Sequence, residues 1–376
     1  MYVLFIFLWF LLNITVWILW LMLCRSNFFF ERRSQRKKKV RIRNTAAGIF
    51  VIVFSVALTL TINWSYITVF ELMACGMVFS ELVCILYEAV TGCFSKPVRD
   101  RIAAFRRGGI PAVIIALFLL LFGYLNVLHV SETDYRFHSA KLDHDYTVVF
   151  LADIHYQTAQ PRSVLRDSVK RINALSPDII VLGGDITDEF TTQKELDDCY
   201  AELGKLRAAR GVYYIYGNHD RKKYARLFFA HYSPQILEKT IRKSGIRILS
   251  DESAEIGDDL LLTGREDYYT VDKADAKSLL ADTDPARYRI VLSHQPKGAA
   301  AVSEAGADLM LSGHTHGGGL FPLQFTYPLF GSLTSGIHTF GNMTEITSVG
   351  FSSWGAPCKT AARCEYLVIH LSPADP

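Results

Sequence analysis

The chain has no internal repeat and no low-complexity tract, which excludes solenoid and array architectures. Cysteine is scarce, seven in 376 residues, and none lies among the histidine motifs, so a thiolate zinc site is excluded. Cys24, Cys75, Cys84 and Cys93 fall in the apolar N-terminal third. Cys199 sits on an expected helix and is expected to be buried and inert. Cys358 and Cys364, six apart, suit either a small disulfide loop or two free thiols. Charge is absent from residues 2–24, and neither a basic leader nor a small-residue cleavage site flanks them, which argues against a cleaved signal peptide.

What is present begins with hydrophobicity: half of the residues are apolar. Residues 2–24 and 110–130 are each close to the roughly 20 residues a bilayer helix needs, and 45–92 fits two more, 45–62 and 66–90. Glu71, Glu81 and Glu88 interrupt the third, either as a polar path or as interfacial residues with neighbouring partners. The loop at 25–43 holds nine Lys or Arg and the loop at 91–109 five, with none near 63–66. Four spans with both basic loops in the cytoplasm would make this a multi-pass cell-membrane protein, with residues 131–145 as linker and 146–376 as an extracytoplasmic domain. Against a whole-chain charge of +3, the part from 131 onward is acidic, a poor match for nucleic acid as main partner; membrane lipid suits the basic loops.

Five motifs carry the chemistry. They are Ala152-Asp153-Ile154-His155, Gly184-Asp185, Gly217-Asn218-His219-Asp220, Ser293-His294-Gln295-Pro296 and Gly313-His314-Thr315-His316. Each ends an apolar, strand-like run, and side chains leaving parallel strand ends converge on one rim. Asp, Asn and His without Cys form a ligand set suited to Mn, Fe or Zn. Seven such residues exceed the needs of one ion and fit two ions that share a carboxylate.

In this order and spacing, with 32 residues from Asp153 to Asp185 and 33 on to Asn218, residues 145–371 resemble the calcineurin-like metallophosphoesterases, closest to bacterial membrane-anchored or exported types. The resemblance implies a four-layer α-β-β-α sandwich and a metal-dependent phosphoric ester hydrolase with two divalent transition-metal ions. It implies Asp153, His155 and His316 at the first metal, Asn218, His294 and His314 at the second, and Asp185 bridging. It also implies His219 over the scissile bond as catalytic residue, with Asp220 orienting it. Gly319 stands where many relatives carry a glutamine, which removes one side-chain contact to substrate.

Alternating strand and helix patterns support an α/β domain. Strands are expected over 146–152, 178–183, 211–216, 259–263, 287–293, 307–312, 346–351 and 364–371, and helices over 161–174, 193–208, 234–244 and 273–281. Three further residues are candidates for substrate binding: Arg265, after a strand, and Phe325 and Phe330 in the apolar stretch 320–340. A second aromatic stretch, 224–233, follows Asp220. Three functions fit: a phosphoesterase acting on a phosphodiester, diphosphate or phosphomonoester bond of a lipid-linked or envelope substrate at the outer face of the membrane; the same chemistry on soluble nucleotides or other small phosphates, with the membrane as tether only; or a non-catalytic membrane scaffold.

Overall fold

The computed structural model describes residues 110–220, 231–321, 323–325, 327–328 and 333–374. Tyr124–Pro376 forms one compact unit. Its apolar strand runs assemble into two six-stranded sheets. The first, in the order β1-β12-β2-β3-β4-β5, comprises β1 (Val130–Ser139), β12 (Cys364–Pro373), β2 (Tyr146–Leu151), β3 (Ile179–Leu182), β4 (Val212–Tyr214) and β5 (Arg247–Ile248). The second, in the order β10-β11-β9-β8-β7-β6, comprises β10 (Gly336–Phe340), β11 (Met343–Thr347), β9 (Leu309–Ser312), β8 (Tyr288–Leu292), β7 (Leu260–Gly264) and β6 (Glu252–Ile256). β2 to β5 run parallel, as do β7, β8, β9 and β11, so both sheets present carboxyl ends to the same rim.

The period-two geometry of strands explains the layering. Val148, Phe150, Ile179, Val181 and Ile215 of the first sheet meet Leu262, Ile290, Leu292, Leu309 and Leu311 of the second in one buried cluster. Their neighbours Val149, Leu151, Ile180 and Leu182 point the other way, onto α2 (Arg162–Ala174), α3 (Gln193–Leu203) and α4 (Pro234–Lys243). Across the second sheet, Leu261, Val291 and Met310 pack on α5 (Ala276–Ala281) and α6 (Ala299–Glu304). The result is the expected α-β-β-α sandwich. Thr192 and Glu195 form a reciprocal capping box that starts α3, and the helix stops at Gly204, before the expected 208.

The membrane expectation is corrected. Among the described residues, no helix is long and apolar enough to cross a membrane. The segment expected as a fourth span is α1, Ile110–Val127, 18 residues. Its last turn is committed to the domain instead: Val127 is buried, and the Asn126 amide donates to the carbonyls of Lys359 and Ala362. The extracytoplasmic placement rested on the count of four spans and falls with it. The spans expected at 2–24, 45–62 and 66–90 lie outside the described residues.

Residues 131–145 also differ from the expected linker. Most of them form β1, which pairs with β12 along its whole length. Charges at Glu132, Asp134 and Arg136 mask an alternation in which Tyr135 and Phe137 turn toward the inter-sheet core. The strand expected at 346–351 lies earlier, at Met343–Thr347, and 348–351 is loop. Cys358 and Cys364 are both free and buried.

Candidate metal centre

All five motifs leave carboxyl ends of strands. Asp153 and His155 follow β2, Asp185 follows β3, Asn218, His219 and Asp220 follow β4, His294 follows β8, and His314 and His316 follow β9. The turns are tight enough to be strained. Of the eight described non-glycine residues with positive φ, five are candidate ligands: Asp153, His155, Asp185, His314 and His316. Each costs of order 1–3 kcal/mol, so strain concentrated at one rim marks a functional site. Glycines make the approach possible: a Cβ at Gly217 would lie 2.1 Å from Asp185 Oδ1, and one at Gly313 would lie 2.6 Å from Asp153 Oδ2.

Two groups of ligand atoms result. One atom each from Asp153, His155 and His316 lie within 4.8 Å of one another, and the same holds for Asp185, His294 and His314. The groups adjoin: His294 Nε2 is 2.9 Å from Asp185 Oδ2 and 4.0 Å from Asp153 Oδ1, and His155 Nε2 is 4.0 Å from Asp185 Oδ2. Asn218 is buried, and neither of its amide atoms has a hydrogen-bond partner.

These residues fit a pair of cations on the structure's own evidence. Asp153 Oδ1, both ring nitrogens of His155, and Asn218 Oδ1 are buried without a hydrogen bond, an expensive condition for the protein alone. His294 Nε2 has none either, because its short approach to Asp185 is off hydrogen-bond geometry. The opposite ring nitrogens are tied to carbonyls, His294 Nδ1 to Gly183 at 2.9 Å and His316 Nδ1 to Ser352 at 3.1 Å. An N–H at Nδ1 leaves the Nε2 lone pair for a metal, the usual outer-sphere arrangement of histidine ligands. Burial and the neighbouring His294 hold His314 well below the usual histidine range; burial and His155 do the same for His316. Both therefore stay neutral, whereas Asp185 outweighs burial at His294 and raises its pKa to about 10.

His219 is placed differently. Its Nδ1 lies 2.8 Å from Glu189 Oε2, its backbone N–H donates to Asp185 Oδ1, and its ring packs 5.1 Å from His155 and 5.0 Å from Trp354. Burial alone would lower its pKa; Asp185 and the Glu189 bond outweigh that and raise it to about 9.

The orienting role expected for Asp220 is corrected by these contacts: Glu189 holds the His219 ring. Asp220 accepts instead from the backbone N–H groups of Asp185, Ile186, Thr187 and Gly217. It ties the Gly-Asp loop to the Gly-Asn-His loop. Burial and Asp185 raise its pKa to about 6, against those amide bonds.

Glu189 was hidden in the acidic run Asp185-Ile186-Thr187-Asp188-Glu189, where spacing alone does not choose among carboxylates. Trp354 carries no local signal. Arg265 lies away from the inter-sheet face, in a pocket with Thr263, Ala276, Leu279, Leu280 and Val291. Phe325 is 65% exposed in a one-turn helix, Leu323–Phe325, its ring 6.2 Å from Phe321. Phe330 and residues 224–230 lie outside the described residues.

Comparison with known proteins points to one family. Residues 146–318 match the family described as calcineurin-like phosphoesterase. An uncharacterized metallophosphoesterase of Campylobacter jejuni is 27% identical over 69% of this chain and 68% of its own length. A bovine protein named transmembrane protein with metallophosphoesterase domain is 29% identical over 60% of this chain and 53% of its own. A phosphodiesterase of Escherichia coli is 27% identical over 55% of this chain and 76% of its own. The matched part thus spans between about half and three quarters of these relatives.

Proposed function

We propose, on the premise that this chain carries a calcineurin-like metallophosphoesterase domain and is a metal-dependent phosphoric ester hydrolase of the two-ion kind, a reading of which residues do what and on which substrate. Asp153, His155 and His316 would hold one ion and Asn218, His294 and His314 the other, with Asp185 beside both groups. When bound, the two cations polarise the phosphoryl group and lower the pKa of water to the neutral range. His219 supplies the proton: Glu189 at Nδ1 keeps that nitrogen protonated and leaves Nε2 to serve the leaving oxygen. Trp354 and His155 flank the ring and fix its plane. Asp220 is a positioning residue acting through four backbone amides.

For substrate, the reading is a phosphodiester whose organic group is apolar, of the lipid-linked class. The observation that carries it is the exposed Phe321–Phe325 pair, 44% and 65% exposed, on the loop that leaves the last ligand motif. That loop is pinned to the motif: the Thr315 hydroxyl donates to the Thr334 carbonyl, and the Thr334 hydroxyl donates to the carbonyl of Gln324, next to Phe325. Apolar rings on a loop pinned to the ligand motif and left in water suit an apolar guest, at about 0.8 kcal/mol per buried CH₂. The Escherichia coli relative's name, phosphodiesterase, supports the diester over the monoester. The gathering of six of the seven candidate ligands into two adjoining groups speaks against a non-catalytic scaffold.

The test is a series of phosphodiesters with one head and lengthening acyl chains, assayed with wild type and Phe325→Ser. Catalytic efficiency is expected to climb with chain length in wild type and to flatten in the variant. Efficiency independent of chain length in both proteins would favour soluble nucleotides or small phosphates.

A further inference from the structure

Lys359 is the one described lysine with a side chain fully removed from solvent, at 0% exposure. Its Nζ reaches three backbone carbonyls of one loop: Val349 at 2.5 Å, Gly350 at 3.2 Å and Ser352 at 3.2 Å. Three acceptors match the three donors of an ammonium group; a neutral amine would fall one short. Burial lowers the Lys359 pKa, while Cys364, Asp153 and Glu365 act to raise it. An ammonium in such a place is costly, and a methionine of similar volume would serve packing alone at less cost. The fold by itself does not explain the choice.

The loop that Lys359 gathers is the one against which the first group of ligands rests. The Ser352 carbonyl accepts from both Lys359 Nζ and His316 Nδ1, and the bond to His316 frees Nε2, 3.7 Å from Asp153 Oδ1. Phe351 N–H donates to the Ala152 carbonyl and Ser352 N–H to the Asp153 carbonyl, bracketing Asp153 from its backbone. A Cβ on Gly350 would stand 2.9 Å from that of Asp153, so the loop has no slack on this side. The residues after Lys359 reach back as well: Thr360 and Ala361 N–H both donate to the carbonyl of Gly319, on the chain leaving His316. The second group has its own holds, His294 by Gly183 and the Asp185 loop by Asp220, and it meets the first where the His314 N–H donates to Asp153 Oδ2.

We propose that Lys359 is a positioning residue for one of the two metal sites: through the carbonyls of Val349, Gly350 and Ser352, it holds His316 and Asp153 in register for the first ion and leaves the second ion's site alone. The proposal rests on the two-ion reading above.

Cobalt(II) titration of the full chain, followed by its visible spectrum, separates the two. Wild type is expected to bind two ions in distinguishable events. Lys359→Met is expected to weaken one event by about 10–100-fold, the usual size for loss of an outer-sphere partner, and to leave the other within about twofold. The weakened event should be the one that His316→Ala removes, not the one that His294→Ala removes. Adding Lys359→Met to His316→Ala should change nothing further in the surviving event, which a general loosening of the fold would disturb. Two unchanged events, two equally weakened events, or a match to His294→Ala would overturn the proposal. If Lys359→Met does not fold, Asn126→Ala is the second probe, because Asn126 holds the carbonyls of Lys359 and Ala362. It should weaken the same event by a smaller factor, and an unchanged affinity there overturns the proposal equally. Wild type binding fewer than two ions would instead sink the two-ion reading itself.

Discussion

The loops leaving the first sheet and those leaving the second contribute to one cluster of ligands, yet they are held by different means. After β2, β3 and β4, the ligand loops are bound to one another from within: Asp153 N–H donates to the Gly184 carbonyl, His155 N–H to the Asp185 carbonyl, and Asp220 gathers four amides. After β8 and β9, the loops share the bond from Gly313 N–H to the His294 carbonyl, and further support for the candidate ligands comes from elsewhere. His294 leans on Gly183 of the opposite sheet, and His314 N–H donates to Asp153 Oδ2. His316 leans on Ser352, far along the chain. The first half is thus a frame braced mainly from within, with the Phe351 and Ser352 amides added at Ala152 and Asp153, and the second is docked onto it. Disturbing the frame should therefore cost more than disturbing what is docked.

The largest expected effect follows from the residue where the halves meet. Asp185 faces His294 of the second half and His155 of the first. Asp185→Ala is expected to abolish activity on a generic aryl phosphodiester and to lower metal content, read by elemental analysis. A variant with full metal and full activity would show that the halves do not share an ion.

A smaller loss should follow when the frame keeps its ligands but loses its proton donor. His219→Ala is expected to retain its metal and lose about 10²–10⁴ in rate, the size of a general acid–base contribution. Glu189→Gln, which keeps a partner at Nδ1 but not its charge, is expected to lose less, about tenfold by the same reasoning. Loss of metal in His219→Ala would move that residue into the ligand shell; an equal or greater loss in Glu189→Gln would make Glu189 more than a tether.

The smallest effect lies in the second half, behind the ligands. Glu345 on β11 is buried, with Oε2 unpartnered, and burial raises its pKa to about 7 against the bond from the Ser312 hydroxyl. A carboxyl whose folded pKa lies above its unfolded value of 4.5 binds more protons when folded. Its contribution is therefore complete below that unfolded pKa and declines as pH rises to about 7. The whole decline is at most about 3 kcal/mol, at 1.36 kcal/mol per pKa unit. Glu345→Gln should remove it, so the gain in Tm over wild type should be several degrees at pH 8 and near its minimum at pH 4. A gain equal at both pH values would mean that Glu345 does not titrate in this window.

Legibility in the sequence follows the same division. Strands β2, β3, β4, β8 and β9 were readable because each is an apolar run, and the candidate ligands were readable because each sits at the end of such a run. β1 was not, since charges on its exposed face concealed an edge strand. The apolar stretch before it matched a membrane span in composition, but its end is tied into the domain by Asn126. Glu189 rather than Asp220 at the His219 ring depended on how one turn coils, with three carboxylates within five residues to choose from.

By itself, then, the sequence determined the parallel α/β character of the domain, the candidate ligand residues and their order, because those depend on side-chain type and on short-range strand-to-loop geometry. The tertiary structure alone decided which carboxylate serves His219, which ring nitrogens are tied off, and that a buried Lys359 stands behind His316. Those choices depend on contacts between segments far apart in the chain, such as Asn126 with Lys359, and packing brings them together through directions that no local pattern encodes.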